Sequence, residues 1–251
     1  MFYKTLNYLR LAIFLLYYQL FSLIGNTSFE KFIILTRSRT GSNLLVSLLN
    51  SHPSVYSERE IFARLNGRSY KNILSKVFSK QPFYIKAKGF KIFYYHPIDG
   101  RSDKVFNALK SIEGLKVIHL KRRNIFRTLI SRKIAGNQNV WWTTKTSKEN
   151  SKKVTFTVKE ADEGFNQTRC WEKEGDKIFK NHDLITIYYE DLASNREATF
   201  RKITEFLGIK YSKPKTSLKR QNYQEIKDLV TNYDEIRMAF QGTKWQSFFE
   251  K

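Results

Sequence analysis

A chain of 251 residues that is 41% hydrophobic and 15% aromatic, with only four prolines, can bury a sizeable core, which excludes disordered, collagen-like and mini-protein readings. Its 45 Lys and Arg against 23 Asp and Glu leave a net charge of +22. A charge of that size asks for an anionic partner: nucleic acid, a membrane surface or a multiply phosphorylated cofactor. The lone cysteine, Cys170, excludes an intrachain disulfide, so a bacterial cytoplasm suits the chain; beside Trp171 it reads as a small core residue rather than a nucleophile.

Residues 11–24, LAIFLLYYQLFSLI, form an apolar run behind Lys4 and Arg10. Fourteen residues interrupted by Gln19 fall short of the roughly 20 that a bilayer span requires, and no small-residue cleavage site follows. The expectation is a helix over residues 1–28, lying on an anionic membrane surface or packed on the protein, ahead of one domain at 29–251. The protein would then be cytoplasmic and peripheral at the membrane.

KFIILT at residues 31–36 reads as a buried strand, followed by the polar turn Arg37-Ser38-Arg39-Thr40-Gly41-Ser42-Asn43 and a short helix over 44–49. Strand, glycine-containing turn and helix is how α/β folds build an anion site, because free backbone N–H groups and the positive end of the helix dipole face the ligand. Further strands are expected at 85–95 (IKAKGFKIFYY) and 116–120 (KVIHL), then a helix over 124–135 stopped by Gly136. Residues 137–160, with Trp141 and Trp142, read as a long loop or lid. A helix at 161–180 and a strand at 184–189 follow. The next helix opens on a capping box, Ser194-Asn195-Arg196-Glu197, and stops at Gly208; a last helix is expected at 222–241. This alternation predicts an α/β fold, a three-layer sandwich around a largely parallel sheet, with its site at the strands' carboxyl edge.

Two charge features stand out. The stretch 121–133 carries six cations and no acid. Between Glu30 and Asp99, in contrast, the only acids are Glu58 and Glu60, and carboxylates that survive in so basic a stretch are candidates for a task. Neither a Walker G-x-x-x-x-G-K-[ST] loop nor G-x-G-x-x-G occurs, so the single-glycine turn suits one phosphate rather than three. Arg39 sits where a guanidinium can fork onto phosphate oxygens, and Arg123 and Ser131, eight residues apart, can converge on a second phosphate. His52, His96, His119 and His182 are scattered, with no ligand cluster calling for a metal, and His52 beside Pro53 reads as a structural turn residue.

In this order the segments KFIILTRSRTGSNLL, SHPSVYSEREIF, KGFKIFYYH, KVIHLKRRNIFRTLIS, ITIYYEDL with ATFRKITEFLGI, and LKRQ with NYDEIRMAFQGTKWQSFF resemble the sulfotransferases that use 3′-phosphoadenosine 5′-phosphosulfate (PAPS). The resemblance covers roughly residues 31–250 and is greatest to bacterial carbohydrate sulfotransferases of the trehalose and Nod-factor type. It implies that Arg39, Thr40, Gly41, Ser42 and Asn43 hold the 5′-phosphate and sulfuryl group, that Arg39 stabilises the leaving oxygen, and that Arg123 and Ser131 hold the 3′-phosphate. Glu60 matches the carboxylate that activates the acceptor, and Lys219, with Gln221, matches the tail motif at the cofactor. The family's glycine is replaced by charged residues just before Glu60, which leaves Glu58 as the alternative base. Trp171 is left open between an adenine-facing role and core packing.

The resemblance thus implies a transferase with PAPS as co-substrate, no metal, and a carbohydrate, glycolipid or other hydroxyl acceptor. Aromatic residues and lysines near Trp141, Trp142 and Lys86–Lys91 would suit a stacked sugar. Two rivals remain. A nucleotide or sugar kinase would need a Walker lysine and an acidic Mg²⁺ site, neither of which is evident, and a basic nucleic-acid-binding protein would account for the charge without a specific phosphate loop.

Overall fold

The computed structural model describes Leu16 and residues 25–138, 153–218 and 224–250. The apolar run at 11–24 apart from Leu16, Trp141 and Trp142, most of the expected lid, and Lys219 and Gln221 lie outside the described residues.

Five parallel strands form one sheet in the order β2-β3-β1-β4-β5. They are β1 (Glu30–Thr36), β2 (Val55–Glu58), β3 (Ala87–Phe93), β4 (Lys116–Lys121) and β5 (Leu184–Tyr188). In the centre, β1 pairs with β3 from Glu30↔Ala87 to Thr36↔Phe93, and with β4 from Phe32↔Lys116 to Leu35↔His119. Parallel strands need crossovers, and helices supply them: α1 (Ser42–Leu49), α2 (Tyr70–Val77), α3 (Ser102–Lys110), α4 (Ile125–Gln138) and α5 (Val158–Ile178). After β5 come α6 (Tyr189–Ser194), α7 (Arg196–Phe206), α8 (Ile226–Leu229) and α9 (Tyr233–Ala239).

The central strands are apolar on both faces because both are covered. Phe32, Ile34, Ile118 and Leu120 face one way, against Leu45 and Leu48 of α1 and Phe200 and Ile203 of α7. Ile33, Leu35, Phe90, Ile92 and Val117 face the other, against Val77 of α2, Val105 and Leu109 of α3, and Phe179 at the end of α5. This is the expected three-layer α/β arrangement. A third cluster joins Phe126 of α4 and Phe165 of α5 to Phe240, Trp245, Phe248 and Phe249, so the C-terminal segment braces the two helices that follow β4. Chain connections leave β1 towards β2 and leave β4 towards β5, so the strand order diverges between β1 and β4; in open parallel sheets that crevice is where ligands bind.

Several local expectations are corrected. Gly136 lies inside α4, which runs on to Gln138. Asn195, not Ser194, caps α7: its side chain accepts from the Ala198 N–H at 3.4 Å, while the Ser194 hydroxyl donates to Glu190 O. The helix expected at 222–241 is broken into α8 and α9, because Val230 is extended and pairs with Val154. The Val154 N–H donates to Leu229 O and the Thr231 N–H to Val154 O, so β-branched residues there satisfy their backbone groups across the chain rather than within a helix. Cys170 is exposed, its thiol 3.7 Å from a Glu174 carboxylate oxygen, so it does not fill the core. Gly208 does stop α7 as expected, in the left-handed conformation at φ 68°.

Candidate active site

The turn after β1 is fixed from below. Thr36 donates from Oγ1 to Leu120 O at 2.7 Å, tying β1 to β4 at the carboxyl edge, and Thr40 donates to Arg37 O at 3.1 Å across the turn. Two residues take left-handed backbone, Arg39 at φ 67° and Gly41 at φ 91°, and Gly41 caps α1. The glycine is required twice over, since a Cβ there would lie 2.2 Å from the Tyr189 ring. The first N–H groups of α1 have no intrahelical acceptor, and with the helix dipole they form a cradle of the size and sign for one tetrahedral anion. Thr40 and Ser42 are buried beneath it.

Across the crevice, Asn124 caps α4 by accepting from the Arg127 N–H at 3.1 Å. The Glu190 carboxylate, from the start of α6, accepts from the Arg123 N–H at 3.0 Å. Arg39 Nε donates to Ser131 Oγ of α4 at 2.9 Å, and Arg122 donates to Arg39 O at 3.1 Å while lying over the Tyr189 ring. Burial lowers the Arg39 pKa from its ordinary value. The structure therefore brings together Arg39, Thr40, Gly41, Ser42 and Ser131. Arg123 makes a bidentate pair with Asp191 at 2.7 and 2.8 Å and lies over the Tyr188 ring; both residues are half exposed. That pair raises the Arg123 pKa and lowers that of Asp191.

Glu60 follows β2 on the other side of the turn. Lys91 of β3, 2% exposed, pairs with it at 2.8 Å and also donates to Asn43 Oδ1. One buried ammonium thus links the candidate base to the phosphate turn. Burial lowers the Lys91 pKa, with Glu60 opposing that shift. Glu58, the alternative base, is held at 2.7 Å by Lys88, which lies over the Tyr56 ring. Of the lysines in 86–91 that would suit a stacked sugar, Lys88 and Lys91 are buried ion-pair partners and only Lys86 is exposed. His96 is buried near Glu60 and Lys91, and burial pushes its pKa down to about 4. His52 is structural, as read from the sequence: Nδ1 accepts from the Ser54 N–H and Nε2 lies 2.8 Å from Lys210 O.

Sequence reasoning missed Arg37, Lys91, Tyr189, Glu190 and Asp191. A signal for one of them was present: Lys88 and Lys91 interrupt an apolar strand in the stretch whose only acids are Glu58 and Glu60. Trp171, left open above, stacks on Tyr94 with ring centres 6.1 Å apart and lies 5.6 Å from the Arg37 guanidinium.

The sulfotransferase family model matches residues 108–213, from α3 to just beyond α7. Nodulation protein H of Rhizobium tropici is 26% identical over 242 residues, which covers 88% of this chain and 93% of that protein. Nodulation protein H of Rhizobium meliloti strain 1021 is 25% identical over 237 residues, covering 88% and 95% respectively. Among solved structures, a sulfotransferase from Alicyclobacillus acidocaldarius superposes with a TM-score of 0.53 at 14% identity, covering 83% of this chain and 90% of that one; the likeness is one of fold.

Proposed function

We propose that the chain is a PAPS-dependent enzyme of the sulfotransferase family and that it transfers the sulfuryl group to a hydroxyl of a carbohydrate or glycolipid, with Glu60 as general base. The observation that carries this reading is the Glu60–Lys91–Asn43 link. It ties a carboxylate to the turn that would hold the phosphosulfate, in a region otherwise nearly free of acids.

The residues fit a phosphosulfate. The left-handed pair at Arg39 and Gly41, the N–H groups heading α1, and the Ser42 hydroxyl offer donors to a tetrahedral anion, with Arg39 beside them. When bound, PAPS supplies an activated sulfuryl group on a bisphosphate leaving group. Arg39 and the turn N–H groups stabilise the charge that develops on the bridging oxygen. Glu60 accepts the proton of the attacking hydroxyl, and Lys91 holds the Glu60 carboxylate in place. Ser131, with Arg123 released from Asp191, positions the 3′-phosphate so that binding becomes alignment. Lys219, on the tail motif alone, is proposed as a further contact to the donor.

The test is transfer of labelled sulfate from PAPS to a panel of oligosaccharides. Wild type should form sulfated product and Glu60→Gln should not; full activity in that variant would remove Glu60 from the mechanism. The nucleic-acid reading receives no support from these features, because Arg39, Lys91 and Arg123 are each held by a specific partner in the site. The apolar run at 11–24 supports a further proposal, peripheral attachment to an anionic membrane through residues 1–28; among the described residues no helix is long and apolar enough to cross one.

A further inference from the structure

A cleft of about 420 Å³ opens between α4 and α5 beside the phosphate turn, and nothing in the mechanism above uses it. Arg37 at its base comes from the turn itself and is only 4% exposed. One of its terminal nitrogens donates to Thr168 Oγ1, whose own proton goes to Gly164 O at 2.6 Å. The Arg37 Nε is buried without a hydrogen-bond partner, and among the described residues no carboxylate lies within ion-pair distance of the guanidinium. Glu172, which acts on Arg37 through space, is committed to Arg169 at 2.6 Å. A buried, uncompensated guanidinium is expensive unless an anion completes it.

The rest of the cleft is built to the same end. Arg132 of α4 is exposed at the wall and has no acidic partner among the described residues. Lys133 also lines the cleft but is neutralised by Glu160 at 2.8 Å, so Arg37 and Arg132 carry the net positive charge. Gln167 adds a polar group, and Trp171 an apolar wall. Arg39 is engaged with Ser131 on the crevice side, whereas Arg37 reaches Thr168 and Trp171 of α5, so the two arginines of one turn serve different neighbours.

We propose that this cleft is an acceptor subsite for an oxyanion substituent, a carboxylate or an ester phosphate or sulfate, on the carbohydrate that receives the sulfuryl group. Arg37 forks onto the oxyanion, Arg132 closes over it from the rim, and the adjoining sugar packs along Trp171. The enzyme therefore selects anionic over neutral glycans. This inference rests on the sulfotransferase reading for its kinetics but not for its binding.

The experiment uses three oligosaccharides of equal length: neutral N-acetylglucosamine oligomers, the same oligomers ending in glucuronate, and the same oligomers carrying a 6-phosphate. Each is titrated calorimetrically into the full chain without donor, and kcat/KM is measured with PAPS. Wild type should favour at least one anionic series over the neutral one by tenfold or more in both assays, the better series identifying the oxyanion. Arg132→Gln, on the surface, and Arg37→Gln should each bring that ratio towards one. Equal use of neutral and anionic series, no binding of any of them, or a preference that survives both substitutions overturns the proposal. So does a parallel loss of adenosine 3′,5′-bisphosphate affinity in Arg37→Gln, which would give the cleft to the donor. If wild type fails to bind the bisphosphate but prefers anionic glycans through Arg37 and Arg132, the sulfotransferase reading falls while the subsite stands.

Discussion

Lys91 holds Glu60 at 2.8 Å from a position 2% exposed, with Asn43 of the phosphate turn as its other partner. Charge on this lysine is tolerable because two acceptors meet it, and removing either one leaves a buried ammonium short of a partner. Glu60→Gln keeps an acceptor and should fold normally while losing about 10²–10⁴ in kcat, the usual worth of a general base. Glu60→Ala should in addition lower stability by about 2 kcal/mol, a figure reduced because the carboxylate is partly solvated. Lys91→Met, similar in volume, should lower kcat at least tenfold with little change in KM for PAPS. Steady-state kinetics and urea melts on the three variants check this; a Lys91→Met enzyme with wild-type kcat would remove the positioning role.

That relationship also marks where the sequence stops being legible. β1, β4 and β5 announce themselves as short apolar runs, and the turn at 37–43 is readable because glycine between strand and helix has few other uses. The four-residue β2 is invisible: Tyr56 and Glu58 look like loop, and their place in the sheet depends on Lys88 and Phe90 across the ladder. Burial of Lys88 and Lys91 could not be read from hydropathy, because it follows from pairing with acids thirty residues away in sequence. Arg123 and Ser131 have the right spacing, yet their partners, Asp191 and Arg39, are long-range contacts that no local pattern encodes.

Gly41 and Tyr189 should be coupled. A methyl group at 41 would meet the Tyr189 ring at 2.2 Å on a backbone at φ 91°, so Gly41→Ala should destabilise by several kcal/mol and abolish bisphosphate binding. Adding Tyr189→Ala should restore part of the stability, leaving the backbone penalty of about 1 kcal/mol. Additive losses in a double-mutant cycle of melting temperatures would contradict the contact.

Arg123 is proposed to exchange Asp191 for the 3′-phosphate. Arg123→Ala should weaken adenosine 3′,5′-bisphosphate binding by about 10- to 100-fold, as expected for one charge-assisted contact. Asp191→Asn, which frees the guanidinium, should leave affinity equal or higher. Calorimetry on both variants decides it; a fall in affinity with Asp191→Asn would mean that the pair must stay intact for binding.

Stability should fall in mild acid. His96 and His119 are buried, and their pKa values are pushed from 6.5 down to about 4. Burial and the nearby Lys121 keep His119 neutral against Asp176, which contacts Nδ1 and favours the charged form, while the Tyr94 hydroxyl meets Nε2; both contacts are 2.7 Å. As pH drops through 6.5 the unfolded chain takes up these protons and the folded chain does not, so each contribution is complete above that value and lost towards pH 4. The loss is at most about 3 kcal/mol for each. Urea unfolding from pH 7.5 to 4.5 should show the decline, shallower in His119→Asn; parallel pH profiles would show that His119 does not carry it.

The most direct test of the central claim is ligand-induced stabilisation of the full chain by adenosine 3′,5′-bisphosphate against ATP at equal concentration. At a hundredfold excess over Kd the bisphosphate should add about 2.7 kcal/mol, a rise of about 5–10 °C for a chain of this size, and ATP far less. Arg39→Ala and Arg123→Ala should each diminish the rise. Equal shifts with the two nucleotides, or none with the bisphosphate, would contradict a site built from the Arg39 turn and Arg123 for the sulfuryl donor.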